Sequence, residues 1–484
     1  MKGEILKNYI NGRWVEPKSK ETRDVINPVT GELLAKVPMS TAEETQAAIA
    51  AAKAAFWRWR STPAQTRIRY LFQFRDAIEE NFEDLSRTIT IEHGKILDEA
   101  RGEFRRTIEN VEAGAAIPHL QMGYNFEDIS SGIDEMLIKQ PLGVFFCVAP
   151  FNFPGMVPGW FWPYAVACGN TYIVKPSDLK PISQVRQFEL IDEIGFPKGV
   201  MNLVLGGPTA VNTLIESPDT VGMSFVGSTK VGRLLYKKCG EHGKRTQVQA
   251  GAKNHLTIMP DANIERTVPN LMSSFFGNTG QRCLSGAVLL AVGDIYEPIK
   301  KAVVEAAKRL VVGNGLDEGT HMGPLATKAG LDRVLKYIEL GIKEGAKLIL
   351  DGRKVKVPDY PKGLFLGPSI FDKVTPDMTI AKEEIFGPVM SIIHVKDLDE
   401  AIDIIHRNPH GNASSIFTSS GKWARKYQYR VRAGNIGINI GVVAPIASFP
   451  FSGMKDSFFG DLHGQGRDAI DFFTENKVVI TRWF

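Results

Sequence analysis

Cysteine is scarce in this chain: Cys147, Cys168, Cys239 and Cys283 are the only four in 484 residues, with no C-x-x-C pair and no regular spacing. That pattern excludes a disulfide scaffold and a cysteine-based zinc centre, and no metal site is expected. Charge of one sign is scarce too. Lys+Arg 58 against Asp+Glu 54 leaves a net +4, too small a surplus for a polyanionic partner, so no nucleic acid is expected. Gly 46 and Pro 27 make up roughly 15% of the chain, short of the ~25–30% of low-complexity sequence. Lys2, Glu4 and Lys7 interrupt the start before an apolar run forms, so a cytoplasmic protein without a signal peptide is expected. No repeat of fixed period is visible.

One stretch has no charge at all. Residues 140–174 are mostly apolar, but Pro141, Pro150, Pro154, Pro158 and Pro163 punctuate them. Proline removes a backbone donor and breaks the helical ladder, so this is a buried segment that changes direction, not a membrane span.

What is present is α/β texture, and the length allows about two to four domains. Apolar positions at three- and four-residue spacing predict helices over 42–60 and 67–96. Strands over 142–149, 171–174, 202–205 and 223–226 alternate with helices near 183–194, 209–215 and 230–239. A second alternating set has strands at 256–259, 287–292, 348–350 and 389–395, with helices at 264–276, 298–310, 327–344 and 398–407. Such alternation predicts parallel sheets with helices on their faces, in two units joined near residue 250. The tail, 471–484, alternates like a strand.

Three loops carry chemistry. Phe225-Val226-Gly227-Ser228-Thr229 ends a strand and opens a helix; Ser-Thr there serves either as an N-cap or as a phosphate cradle. Val174-Lys175-Pro176-Ser177-Asp178 follows another strand. It is either a solvated turn or a ribose site in which Lys175 binds hydroxyls and Asp178 repels a 2′-phosphate, favouring NAD. Gly280-Gln281-Arg282-Cys283 sets one cysteine in a polar loop beside a cation, which lowers a thiol pKa. Cys283 is thus a packing residue or a nucleophile, and no histidine partner is identifiable from spacing.

Taken together and in order, these segments and two more, Pro150-Phe151-Asn152-Phe153-Pro154 and Glu384-Ile385-Phe386-Gly387-Pro388-Val389, resemble the aldehyde dehydrogenase superfamily over nearly the whole chain. The resemblance implies a Rossmann-like NAD-binding domain (1–120 and 142–250), a catalytic α/β domain (251–450) and a small β oligomerisation extension (121–141 and 465–484), in a homotetramer or homodimer. It implies Cys283 as nucleophile, with Asn152 and the Cys283 N–H holding the oxyanion. It assigns NAD contacts to Ala149, Phe151, Lys175, Asp178, Gly227, Ser228, Ala250 and Glu384.

Two departures narrow the expectation. Hydrolytic members carry Glu-Leu-Gly-Gly-Lys where this chain has Gln249-Ala250-Gly251-Ala252-Lys253. Gln249 cannot serve as the base for a deacylating water, which points to acyl transfer to coenzyme A as co-substrate; the alternatives are that Glu384 substitutes as base, or that the enzyme is hydrolytic on another aldehyde. Arg282, together with Arg106 in the Glu103–Glu112 run, would clamp a substrate carboxylate. The competing reading puts Arg105 and Arg106 in surface ion pairs with Glu103 and Glu109. The pattern resembles the methylmalonate-semialdehyde dehydrogenase branch. That branch implies oxidation and decarboxylation of malonate or methylmalonate semialdehyde to acetyl-CoA or propionyl-CoA. The aromatic-rich Pro158–Pro163 and Ile446–Gly453 segments are either core or a tunnel border.

Overall fold

A computed structural model describes residues 3–484. Two mixed sheets dominate. The first has eight strands, whose parallel centre runs Arg245–Gln249, Thr220–Val226, Val144–Val148, Thr171–Lys175, Met201–Leu203. The antiparallel pairs Asn8–Tyr9 with Trp14–Val15 at one edge and Phe458–Phe459 at the other complete it. The second has seven strands in the order Lys347–Leu350, Ser369–Asp372, Val389–Val395, Gly286–Val292, Asn254–Ile258, Ala413–Phe417, Asn435–Ile438. All its pairs are parallel except the first.

The predicted α/β alternation is present, with three differences. The helix expected over 67–96 is two helices, Ala64–Glu80 and Phe82–His93, divided at Asn81, and a further helix, Leu97–Ala115, follows. Gly94 at φ 99 ends the second of these and turns the chain, a conformation that glycine adopts without strain. The strands Arg245–Gln249, Ser369–Asp372, Ala413–Phe417 and Asn435–Ile438 escaped the pattern because they are short, and the first and third carry consecutive polar residues. The tail becomes a strand only at Thr474–Arg482, since Asp471 and Phe472 close the helix Gly466–Phe472.

That final strand pairs with Ile133–Pro141 over nine residues and, with Tyr124–Ser130, forms a separate three-stranded sheet. The uncharged 140–174 stretch contains two core strands, a 3-10 turn and the short helix Trp162–Cys168. No helix among the described residues is long and apolar enough to cross a membrane.

Candidate active site

Register brings the first set of predicted residues together. Val148 lies opposite Lys175 on one side and Phe225 on the other, and Val226 lies opposite Gln249. Ala149, Lys175, Gly227 and Ala250 therefore sit in a row at the C-terminal ends of neighbouring parallel strands. That edge is where open α/β sheets take ligands. Ser228 caps the helix Thr229–Glu241, its Oγ accepting the Val231 N–H at 3.5 Å, so the capping reading holds. Phe151 packs against His93 in a stacked pair and against Phe386 edge-on.

Lys175 tests whether this edge suits a dinucleotide. It is buried, burial lowers its pKa, and its ammonium has no hydrogen-bond partner among the described residues. An unspent donor at the end of this strand row fits a ribose and phosphate ligand. Asp178 is not alone as expected: Arg23 of the strand Thr22–Ile26 pairs with it at 2.5 Å.

The second sheet supplies the loop of Cys283. Cys283 lies just before the strand Gly286–Val292, half-buried, and its carbonyl accepts from Asn254 Nδ2 (2.8 Å) and Asn412 Nδ2 (2.9 Å). Two preceding residues, Asn278 and Thr279, have left-handed backbone at φ 49 and 54, the kind of strain that a well-packed site must hold in place. Gly280, at φ 70, lets the loop lie against Gly387; a Cβ there would stand 2.1 Å from the Gly387 carbonyl oxygen. The same close packing recurs at Gly251, where a Cβ would stand 2.8 Å from Glu384 Oε2, while Glu384 Oε1 accepts from Ala252 N at 3.1 Å. These approaches bring Glu384, 132 residues further along the chain, against the Gly251-Ala252 backbone and Gly387 against the loop of Cys283.

Asn152 closes the gap between the sheets, its Nδ2 donating to the Gln281 carbonyl at 2.9 Å. Asn152 and Cys283 line one cavity of about 380 Å³ with Glu99, Arg106 and Arg282. Both predicted arginines therefore reach the thiol's cavity, and both hold carboxylates: Arg282 Nη2 pairs with Glu99 Oε1 at 2.7 Å, and Arg106 Nη1 with Glu109 Oε2 at 2.7 Å. Arg282 Nε is buried with no partner. Arg105 points elsewhere, pairing with Glu79. From the two aromatic segments, Trp160 and Phe451 stack at 4.5 Å and border the cavity, while Phe161 and Trp162 are core.

The electrostatics correct one expectation. Burial, helped by the Glu384 carboxylate, pushes the Cys283 thiol up to about 12. Its own N–H and that of Leu284 favour the thiolate, and the Arg282 guanidinium is the weakest influence, its charge already engaged by Glu99. Nor does any carboxylate lining the cavity stand free. Asp98 pairs with Arg101, Glu99 with Arg282 and the Asn278 N–H, and Glu103 with Lys95 and two backbone N–H groups. Gln249 is buried with both amide atoms unpartnered. Lys95 and Glu99 went unread in the sequence, and Glu103, read there as a surface partner of the neighbouring arginines, is instead fully buried against Lys95; the Gly94-Lys95 turn lies outside every motif, and only the helical spacing of Glu99, Glu103 and Arg106 hinted at one face.

The profile of the aldehyde dehydrogenase family matches residues 14–479. A malonate-semialdehyde dehydrogenase of Geobacillus kaustophilus is 48% identical over 481 residues, covering 99% of each chain. One from Halalkalibacterium halodurans is 46% identical with the same coverage. Among solved structures, a Sinorhizobium meliloti protein assigned as a methylmalonate-semialdehyde dehydrogenase and complexed with NAD superposes with TM-score 0.98 at 38% identity, covering 100% of this chain and 98% of that one. The methylmalonate-semialdehyde dehydrogenase of Oceanimonas doudoroffii superposes with TM-score 0.97 at 39% identity, covering 99% and 98%.

Proposed function

The chain belongs to the aldehyde dehydrogenase family, and from that premise we propose that it oxidises malonate or methylmalonate semialdehyde and passes the acyl group, less CO2, to coenzyme A. The observation that carries this reading is the placing of Arg106 and Arg282 in the same cavity as Cys283 and Asn152. A substrate with an aldehyde at one end and a carboxylate at the other matches a thiol and two guanidinium groups.

In this reading the Cys283 sulfur, as thiolate, adds to the aldehyde carbon and makes an alkoxide. The Asn152 amide and the Cys283 N–H donate to that oxygen; loss of one such donor costs ~2.7–4 kcal/mol in comparable sites. NAD, when bound, supplies the hydride acceptor. Lys175, Gly227, Ser228, Ala149, Ala250, Phe151, Asp178 and Glu384 would hold it. As the C=O bond re-forms and hydride leaves, two electrons depart and a thioester remains on Cys283. The substrate carboxylate is then β to the thioester carbonyl, so CO2 leaves with its electron pair passing into an enolate that takes a proton. The thiol of coenzyme A attacks the remaining acyl group, and Cys283 departs as thiolate.

Acyl transfer is favoured over hydrolysis because every carboxylate lining the cavity is engaged, and Gln249 accepts no proton at neutral pH. We also propose the division into a Rossmann-like domain (1–120 and 142–250), a catalytic domain (251–450) and an extension (121–141 and 465–484), supported by the separate sheets. Tyr124, Phe126 and Ile480 are 73%, 64% and 66% exposed on the three-stranded sheet, which supports a homodimer or homotetramer. Four cysteines outside any disulfide support a cytoplasmic location.

The test follows NAD reduction with malonate and methylmalonate semialdehyde, with and without coenzyme A, and identifies products by mass. Acetyl-CoA and propionyl-CoA are expected. Turnover indifferent to coenzyme A, with free acid released, overturns the proposal.

A further inference from the structure

Three separate segments meet beneath Asn152. Lys95 comes from the turn before the helix Leu97–Ala115, Glu103 from that helix, and Asn152 from the loop after the strand Val144–Val148. Lys95 Nζ donates to Glu103 Oε2 at 2.6 Å and to the Asn152 carbonyl oxygen at 2.7 Å, and lies 3.9 Å from the centre of the Phe153 ring. Glu103 Oε1 accepts from Gly155 N at 2.7 Å and Met156 N at 3.0 Å. The Asn152 carbonyl also accepts from Asn278 Nδ2 at 3.3 Å, in the loop that carries the nucleophile. Both charged side chains are 0% exposed.

Stability alone is a poor account of this pair. A buried ion pair repays its desolvation only with excellent geometry, and an apolar replacement of both partners is often neutral or better. What the pair does supply is a fixed backbone. Every hydrogen bond it makes outside itself goes to main chain between Asn152 and Met156, and the ring it faces is Phe153. This is the segment that carries the amide donor, and a donor must be held to within about 0.5 Å to act on a developing charge.

We propose that Lys95 and Glu103 are positioning residues, a buried clamp that sets the Asn152 amide where the substrate alkoxide forms. The inference rests on the reading of Asn152 as the oxyanion donor.

A double-mutant cycle on the full-length enzyme tests it, with Lys95→Met, Asn152→Ala and both together. The readouts are the single-turnover burst of reduced NAD with malonate semialdehyde and, independently, alkylation of Cys283 by iodoacetamide. Lys95→Met is expected to slow the burst on the order of 10–100-fold while alkylation changes by less than about twofold. In the Asn152→Ala background, where no donor remains to be positioned, the same substitution is expected to cost less than about twofold. If Lys95→Met does not fold, the charge-neutral pair Lys95→Met/Glu103→Gln, which leaves no lone buried charge, goes through the same cycle. Equal losses in both backgrounds overturn the inference while leaving the oxyanion reading intact. An undiminished burst in Asn152→Ala alone overturns that reading, and the clamp with it.

Discussion

Two buried lysines flank the Cys283 loop and are treated in opposite ways. Lys95, on the substrate-cavity side, has a carboxylate, a carbonyl and an aromatic face around its ammonium. Lys253, in the small recess with Glu384 and Ser285, has no hydrogen-bond partner for its Nζ. Burial lowers both pKa values; Glu103 works against this at Lys95, whereas Lys253 falls to about 7 because Glu384 and Glu383 offset only part of the cost. The same side chain at similar burial is thus a held cation in one place and, above about pH 7, a neutral amine in the other. Burial alone does not decide what a charged residue does; the partners supplied by distant segments do.

One substitution made at both sites breaks the comparison open. Lys95→Met strands Glu103 as a buried carboxylate and is expected to destabilise by about 3–5 kcal/mol, read from the denaturant midpoint. An effect of opposite sign and comparable size is expected from Lys253→Met. Below pH 7 both folded and unfolded states hold the Lys253 proton, so the folded state bears the full cost of a buried cation. From pH 7 toward about 10.4 the unfolded chain binds one proton more, and native stability rises with pH. Lys253→Met should therefore raise the thermal midpoint at pH 6, by up to about 4–5 kcal/mol in stability from ~1.36 kcal/mol per pKa unit, and the gain should fade by pH 10. A gain independent of pH would contradict the neutral-amine account.

The Cys283 thiol shows what the same burial does to an acid. With its pKa pushed up to about 12, alkylation of the ligand-free protein by iodoacetamide should climb about tenfold per pH unit from 7 to 10. A plateau below pH 9 would mean that Arg282 depresses the thiol after all. The smallest effect belongs to an exposed ion pair two residues along the clamp's own helix. Arg105→Ala, which breaks the pair with Glu79, should cost less than about 1 kcal/mol and leave the oxidation rate as it was.

Much of the site was legible before any fold was known, for a physical reason. Gly227, Lys175, Asn152 and Cys283 sit in loops at strand ends, where local backbone geometry and chemistry impose short, recognisable strings. The glycines that let Gly280 meet Gly387 and Gly251 meet Glu384 belong to those strings as well. Less legible were relations between segments. Asp178 read as a free carboxylate until Arg23, 155 residues away, proved to hold it, and Arg282 read as an activator of its neighbour until Glu99 took its charge.

By itself the sequence determined the parallel α/β architecture, the strand-end loops and the candidates for the reactive groups, because periodicity and loop chemistry are local properties of the chain. Tertiary structure alone decided which charges are paired and which donors stay unspent. It gave Glu103 to Lys95, Glu99 to Arg282 and no hydrogen-bond partner to Lys253, since electrostatic partners are chosen by distance in space and by exclusion of water, neither of which is written in spacing along the chain.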